Sequence, residues 1–425
     1  MKLNKGFIGI FILALIVAAL SIRLIGPIDW DPDYLSYLKA WDEHLSQGEI
    51  DKFRTPLYPL YLGLMKTIFG SHFTLGAIIG QYIVFLLSIR AFYAIAYWFI
   101  HSEKIVLGTT LIYAVYPGII HWSNSLMTES LAISGTVFLL YGVMRLYDRY
   151  STAWTVITAG LMILLLMLRP IFIYLLPTLF LAWIIAFRKS NKRKQAISGL
   201  ISTCFATLAL MAYMAVFYHA YGIFSTSSVS TYNRWYMARE SGLLKPEVID
   251  NPALRTDVEK SIQLYGKQFD FKKGDLWDET DSIIEKYDLA TLNKVLNAST
   301  ISQPLENLAK VADTTMKAST FKLAVPASEM SFVLSDLLSL NMAVIYLILI
   351  IYTIVLVRWM FNHRQIPWFS SVLYMVGVSH LIIVLIGAQG EWYRLIVPSM
   401  PIYILLIGQL CRTLNMKPIQ QIDLE

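Results

Sequence analysis

Charge is scarce in this chain: Asp, Glu, Lys and Arg make up 15% of 425 residues, against about a quarter in an ordinary soluble domain. Hydrophobic residues make up 56%, more than a soluble fold with so few charged residues can cover. Cysteine is nearly absent. Cys204 and Cys411 both lie within apolar blocks, which excludes a disulfide framework and a zinc ligand cluster. A basic nucleic-acid stripe is missing as well. The net charge of +6 sits in short turns between apolar blocks, above all Arg188, Lys189, Lys192, Arg193 and Lys194, so no nucleic-acid partner is expected. There is no solenoid repeat, nor the inverted pair of halves of a secondary transporter.

What the chain does have is apolar runs long enough to cross the roughly 30 Å hydrocarbon layer. Spans are expected near 6–27, 74–100, 105–121, 127–146, 152–168, 171–188, 195–219, 335–358, 367–388 and 394–413. The fold class is therefore an all-α polytopic membrane protein of about ten transmembrane helices with a mainly helical insert. The start resembles a signal peptide, but Arg23 and Leu24 interrupt the place of a small-residue cleavage site, so an uncleaved first span is expected. Pro56–Phe69 is too short to span and reads as an interfacial or re-entrant helix. Three parts follow: a transmembrane module, 1–221, whose first outer loop (29–73) holds the catalytic candidates; an insert, 222–332; and terminal helices, 333–425. In the insert, Pro252–Ile262 and Ile283–Leu296 carry apolar residues at helical spacing, and Gly222–Ser230 reads as a loop. Asn297-Ala-Ser matches the glycosylation tripeptide, a pattern too common to weigh.

With a cytoplasmic amino terminus, every heavily basic turn falls on the cytoplasmic side: Arg145/Arg149, Arg188–Lys194, Arg358/Arg364 and Arg412. Both termini then face the cytoplasm of a cell whose inner membrane holds the chain. Asp29–Phe69, His121–Met127, Arg169–Pro170, the insert and Gly387–Arg394 face outward.

The unusual polar residues collect on that outer side. Asp29, Asp31 and Asp33 place three carboxylates within five positions. Such a carboxylate can serve as general base to a hydroxyl; the structural alternative is a helix cap, with Asp33 heading Tyr34–His44. Arg54-Thr-Pro-Leu-Tyr-Pro59 puts a guanidinium at headgroup depth, either a snorkelling anchor or a phosphate holder. Glu129 opens an apolar span, where a carboxylate is costly unless the helix dipole or a partner favours it. His121 nearby reads as an interfacial hydrogen-bonding residue, and no metal site is expected. Arg169-Pro170 and Tyr393-Arg394 place two more arginines at turns on the same side, and the planar guanidinium fork suits a phosphodiester.

In their order, these motifs resemble the GT-C membrane glycosyltransferases that use polyprenyl-phosphate sugars. The nearest likeness is to the protein mannosyltransferase and lipid A aminoarabinose transferase group. The resemblance rests on Asp33-x-x-x-Tyr37-x-x-Ala40, Arg54-Thr-Pro-Leu-Tyr-Pro59, Tyr116-Pro with Glu129, the Arg169-Pro170 pair, and Tyr393-Arg394 with Pro398 and Pro401. It covers about Asp29–Gly222 and Gln389–Pro401, and leaves out the insert. It implies inverting transfer of a hexose or pentose to a glycan, lipid or protein acceptor. Asp33 would be the base, with Asp31 as fallback and Glu129 as a second acidic residue. Arg54, Arg169 and Arg394 would hold the donor phosphate, and Tyr37, Tyr58, His121 and Tyr393 would position substrate. No cofactor is implied, and dependence on a divalent cation is left open. Two departures stand: three aspartates compete for one role, and the insert is unlike the soluble domain of the aminoarabinose transferases. The competing readings are a polysaccharide polymerase or ligase, a lipid-linked-sugar flippase, and a non-catalytic scaffold. A flippase would put charges deep within spans, whereas here they gather at one edge.

Overall fold

The computed structural model describes residues 4–28, 33–265, 275–300, 310, 342–363, 366–387 and 395–415. Among them, eight helical stretches are long and apolar enough to cross a membrane: Lys5–Leu24, Leu57–Ile100, Glu103–Asn124, Glu129–Asp148, Pro170–Phe187, Ser190–Tyr221, Val344–His363 and Trp368–Leu385. Two further expected spans are shorter helices, Thr152–Leu168 and Met400–Asn415. The chain is a multi-pass helical membrane protein.

Helix α1 (Lys5–Leu24) starts where the Asn4 side chain accepts the Phe7 N–H at 2.7 Å, the usual way to satisfy a first-turn donor. Its buried stripe is Phe7, Ile10, Ala14, Ala18 and Ser21, at helical spacing, while Ile8, Ile12, Leu15 and Ile16 point outward. Small residues on the packed face and large ones outside suit a helix that meets lipid on one side. Beyond α1 the chain turns at Gly26, φ 69°, and Ile28 forms a parallel bridge with Ser125. The Ile28 N–H donates to the Asn124 carbonyl at 2.8 Å, and the Leu126 N–H donates to the Ile28 carbonyl at 3.1 Å.

Helix α2 (Asp33–Lys39) runs on through a π turn, Ala40–His44. Helix α3 (Leu57–Phe69) follows Pro56 and ends at Gly70, whose φ of 55° only glycine adopts freely. The chain then doubles back into α4 (Phe73–Ile100). Tyr61 bonds the Ala77 carbonyl, and Gly76 lies against the Phe69 ring. Thirteen residues make a helix of about 20 Å, too short to cross by itself.

The span expected at 105–121 is two helices, α5 (Glu103–Val115) and α6 (Pro117–Asn124). Tyr116 between them is extended, ψ 119°, because proline disfavours helical geometry in the residue before it. Helix α7 (Glu129–Asp148) packs on α4 and on α8 (Thr152–Leu168). A 3-10 turn, Pro170–Tyr174, leads into α9 (Leu175–Phe187). Helix α10 (Arg193–Tyr221) lies along α8 and α9.

The described part of the insert is mainly helical, with a small core of its own. Helices α11 (Val229–Glu240), α12 (Pro252–Tyr265), α13 (Asp275–Lys286) and α14 (Leu289–Thr300) enclose Trp235, Leu254, Val258, Ile284, Leu292 and Leu296. The helix expected over Ile283–Leu296 is instead broken at Tyr287–Asp288. Asp288 caps α14 through the Thr291 N–H at 2.8 Å, and a residue acting as a cap cannot continue the preceding helix. Asn297 lies within α14 and accepts from Arg234 at 2.7 Å, a setting unlike the surface loop of a glycosylated asparagine.

Helix α15 (Met342–His363) ends five residues beyond the expected 358, and residues 335–341 lie outside the described residues. Helix α16 (Trp368–Gly387) packs on α9, and α17 (Met400–Asn415) packs on α5 and α4. The last helices thus close the bundle against the first half of the chain.

Candidate active site

Asp51 fixes the approach to Arg54. It is buried, and its Oδ1 accepts from the backbone N–H groups of Phe53 (2.8 Å) and Arg54. The guanidinium then turns toward α2, where it pairs with the Asp33 carboxylate. It also donates to Ser36 Oγ at 2.7 Å and to the Tyr37 hydroxyl at 3.3 Å. The Tyr37 and Phe53 rings lie 4.2 and 4.6 Å from the guanidinium carbon. Aromatic faces of this kind attract a cation and fix its plane. Asp33 is the first residue of α2, and its carboxylate is held from twenty-one residues away.

Glu129 and Arg169 form the second pair, at 3.1 Å. Pro170 stops the helical pattern and leaves Arg169 extended, φ −150°, so its side chain reaches across to the first turn of α7. The two pairs differ in access. The Glu129 side chain is 0% exposed and Arg169 10%, whereas the Asp33 side chain is 31% exposed and Arg54 12%. Asp33 is open to a ligand and Glu129 is sealed.

A hydrogen bond ties the two arginine segments together. The Thr55 hydroxyl donates to the Leu168 carbonyl at 3.0 Å, with both groups buried. A second chain of bonds supports them from beneath. The Tyr58 ring lies edge-on to Tyr37 at 4.9 Å, and its hydroxyl donates to Gln81 Oε1 at 3.0 Å. The Gln81 amide nitrogen donates in turn to the carbonyls of Ser123 (3.1 Å) and Ser125 (2.9 Å). Tyr58 is fully buried, so it braces Tyr37. His121 is half-buried on α6, its ring 5.2 Å from the Trp122 ring.

One residue that the sequence reading missed completes this end of the bundle. His380, buried on α16, bonds the Tyr174 hydroxyl at 3.0 Å through Nδ1 and the Leu395 carbonyl at 2.8 Å through Nε2. A carbonyl can only accept, so Nε2 carries the proton and Nδ1 accepts from Tyr174. The lone histidine of a late apolar span was the signal that could have marked it. Leu395 follows Arg394 in the chain, so His380 anchors the segment next to that arginine. Asp31, Tyr393 and Arg394 themselves lie outside the described residues. Among the described residues no group of three or more His, Cys, Asp and Glu is arranged to hold a metal.

The insert reaches this place too. The Ser228 N–H donates to the Lys52 carbonyl at 2.9 Å, and Phe53 meets Tyr232 edge-on at 5.1 Å. The ring that faces Arg54 therefore also faces α11.

No family model and no curated protein matches the chain. Among solved structures, the apo form of the Archaeoglobus fulgidus oligosaccharyltransferase aligns over 96% of this chain and 51% of its own, with TM-score 0.53 and 12% identity. The same enzyme in complex with Zn and sulfate aligns over 95% and 50%, with TM-score 0.51 and 12% identity. ArnT from Cupriavidus metallidurans bound to undecaprenyl phosphate aligns over 96% of this chain and 77% of its own, at 13% identity and TM-score 0.39. The chain spans about half the length of the oligosaccharyltransferase. The chain shares its fold with the Archaeoglobus fulgidus oligosaccharyltransferase.

Proposed function

We propose that this protein transfers a sugar from a polyprenyl-phosphate donor to an acceptor at the outer face of the cytoplasmic membrane, with inversion at the anomeric carbon. The observation that carries this reading is the pair of carboxylate–guanidinium contacts, Asp33–Arg54 and Glu129–Arg169, joined through Thr55 and Leu168. Asp33, the open carboxylate, takes the proton of the acceptor hydroxyl. The acceptor oxygen attacks the anomeric carbon, the bond from that carbon to the phosphate oxygen breaks, and the lipid phosphate leaves with the electron pair. Arg54 is placed to exchange part of its contact with Asp33 for the departing phosphate, and Arg169 and Arg394 add positive charge where negative charge develops. Glu129 holds Arg169 in position, Tyr37 orients the substrate, and Asp31 is the alternative base. The acceptor is a glycan, a lipid or a protein.

The test is transfer of labelled sugar from a polyprenyl-phosphate donor in proteoliposomes. Asp33→Asn is expected to lower the rate at least about a hundredfold, the usual scale of a lost general base, with donor retention unchanged. Equal rates would remove Asp33 from the chemistry. A second reading is transfer of a preassembled glycan by a polymerase or ligase, favoured by the fold shared with an oligosaccharyltransferase. Donors bearing one sugar and several sugars, assayed side by side, separate the two.

A further inference from the structure

The opposite end of the bundle holds a cavity of about 890 Å³. Phe99 on its wall lies about 27 Å from Gln81 along α4, at 1.5 Å per residue, so it is distinct from the Asp33 site. Its floor is aromatic and fixed. The Tyr147 and Trp368 rings stack at 3.9 Å and 6°, and the Trp368 indole N–H donates to the Ala182 carbonyl at 2.7 Å. The Trp98 edge meets Phe369 at 5.1 Å.

Its rim is cationic. Arg188, Lys189, Lys192 and Arg412 line it, with Asp148 the one carboxylate among the described lining residues. Basic turns at a membrane edge ordinarily extend outward to lipid headgroups. Two of these cations are held inward. Lys192 Nζ donates to the Tyr147 carbonyl at 3.2 Å and lies 4.7 Å from that ring. Arg412 is 8% exposed, and its Nη1 reaches the Phe99 carbonyl at a long 3.5 Å.

Two further observations point to a ligand. Gln409 is 8% exposed and lines the cavity, and its side-chain oxygen has no hydrogen-bond partner among the described residues. A buried acceptor left this way calls for a donor. His101, also on the wall, has φ 55°, the one positive value among the described non-glycine residues. A helix normally ends in glycine at such a position, and backbone held in this region gathers at binding sites.

We propose that this cavity binds the phosphate-bearing headgroup of an anionic membrane lipid. The phosphate lies between Arg412 and the rim cations, a headgroup hydroxyl donates to Gln409, and the apolar chain runs along Tyr352, Val355 and Leu356 of α15. The proposal is independent of the sugar-transfer reading.

The experiment is native mass spectrometry of the intact protein released from detergent after incubation with phosphatidylglycerol or phosphatidylcholine, with inorganic phosphate as competitor. Retention of phosphatidylglycerol at least about tenfold above phosphatidylcholine is expected, since charge-assisted bonds to guanidinium are the strong ones. Arg412→Gln should abolish that preference. Because Arg412 is buried, Arg188→Gln at an exposed rim position serves as a second variant, expected to lose several-fold in retention with an unchanged melting temperature. Displacement of the lipid by inorganic phosphate supports recognition of the phosphate. Equal retention of the two lipids, retention untouched by both variants, or capture of inorganic phosphate with no lipid retained would each overturn the proposal.

Discussion

Glu129 and Arg169 meet at 3.1 Å with almost no access to solvent. Removing one member of such a pair leaves the other charge where it is poorly solvated, at a cost of about 3–5 kcal/mol. Arg169→Gln is therefore expected to lower the melting temperature markedly, and adding Glu129→Gln should recover part of the loss. A thermal double-mutant cycle measures the coupling; strictly additive losses would show that the two side chains do not support each other. This scale was the least legible in the sequence. Asp33 and Arg54 stood out as a base and a phosphate holder, each from its own short motif. Nothing local shows that a guanidinium turns back to a carboxylate twenty-one positions earlier, because that contact depends on how α2 and α3 pack. His380 was missed for a similar reason. One histidine in an apolar run looks like a core residue until its two acceptor and donor partners, Tyr174 and Leu395, are in place.

Helices were read well where the apolar pattern was long and poorly where one residue interrupts it. Thr152–Leu168 has the expected bounds, while Pro117 and Asp288 each cut an expected helix in two. Both interruptions follow local rules that a periodicity count passes over. Asp288 also gives the insert a pH dependence. Bonds from the Thr291 hydroxyl and N–H hold its carboxyl below its ordinary value, and bonds from Lys286 and Tyr287 do the same for Asp257. A group whose folded pKa is depressed stabilises the fold fully above the ordinary carboxylate range of about 4 and loses that contribution as pH falls through the folded value. Amide protection in α12–α14, corrected for the intrinsic exchange rate, should thus fall as pH drops below about 4, and Asp288→Ala should flatten the response; protection unaffected by that substitution would remove Asp288 as a source. At the α9–α10 contact, a Cβ on Gly199 would lie 2.1 Å from the Trp183 ring. Overpacking a fixed ring costs about 1–3 kcal/mol, so Gly199→Ala should lower the melting temperature, and an unchanged value would show that the helices part freely.

The molecule as a whole was the most legible scale. Apolar runs marked the helices that are long enough to cross a membrane. What they could not give was the closure of α16 and α17 onto α9, α5 and α4, since contacts between distant parts of a membrane bundle leave no periodic trace. The charge bias still sets an orientation that labelling can test. In a Cys204→Ser/Cys411→Ser background, an impermeant maleimide should reach Gln47→Cys in intact cells and Ser190→Cys only after permeabilisation. Labelling of both in intact cells would overturn the assignment of faces.

The short bridge at Ile28 has a consequence for biosynthesis. A chain is made from its amino terminus, and domains take shape as they emerge. The partners of Ile28 are Asn124 and Leu126, so the lead-in to Asp33 cannot be moored until roughly a hundred more residues have left the ribosome. Arg169 arrives after that, and Leu395, which His380 holds, later still. The charged end of the bundle is therefore assembled from segments that leave the ribosome far apart in time.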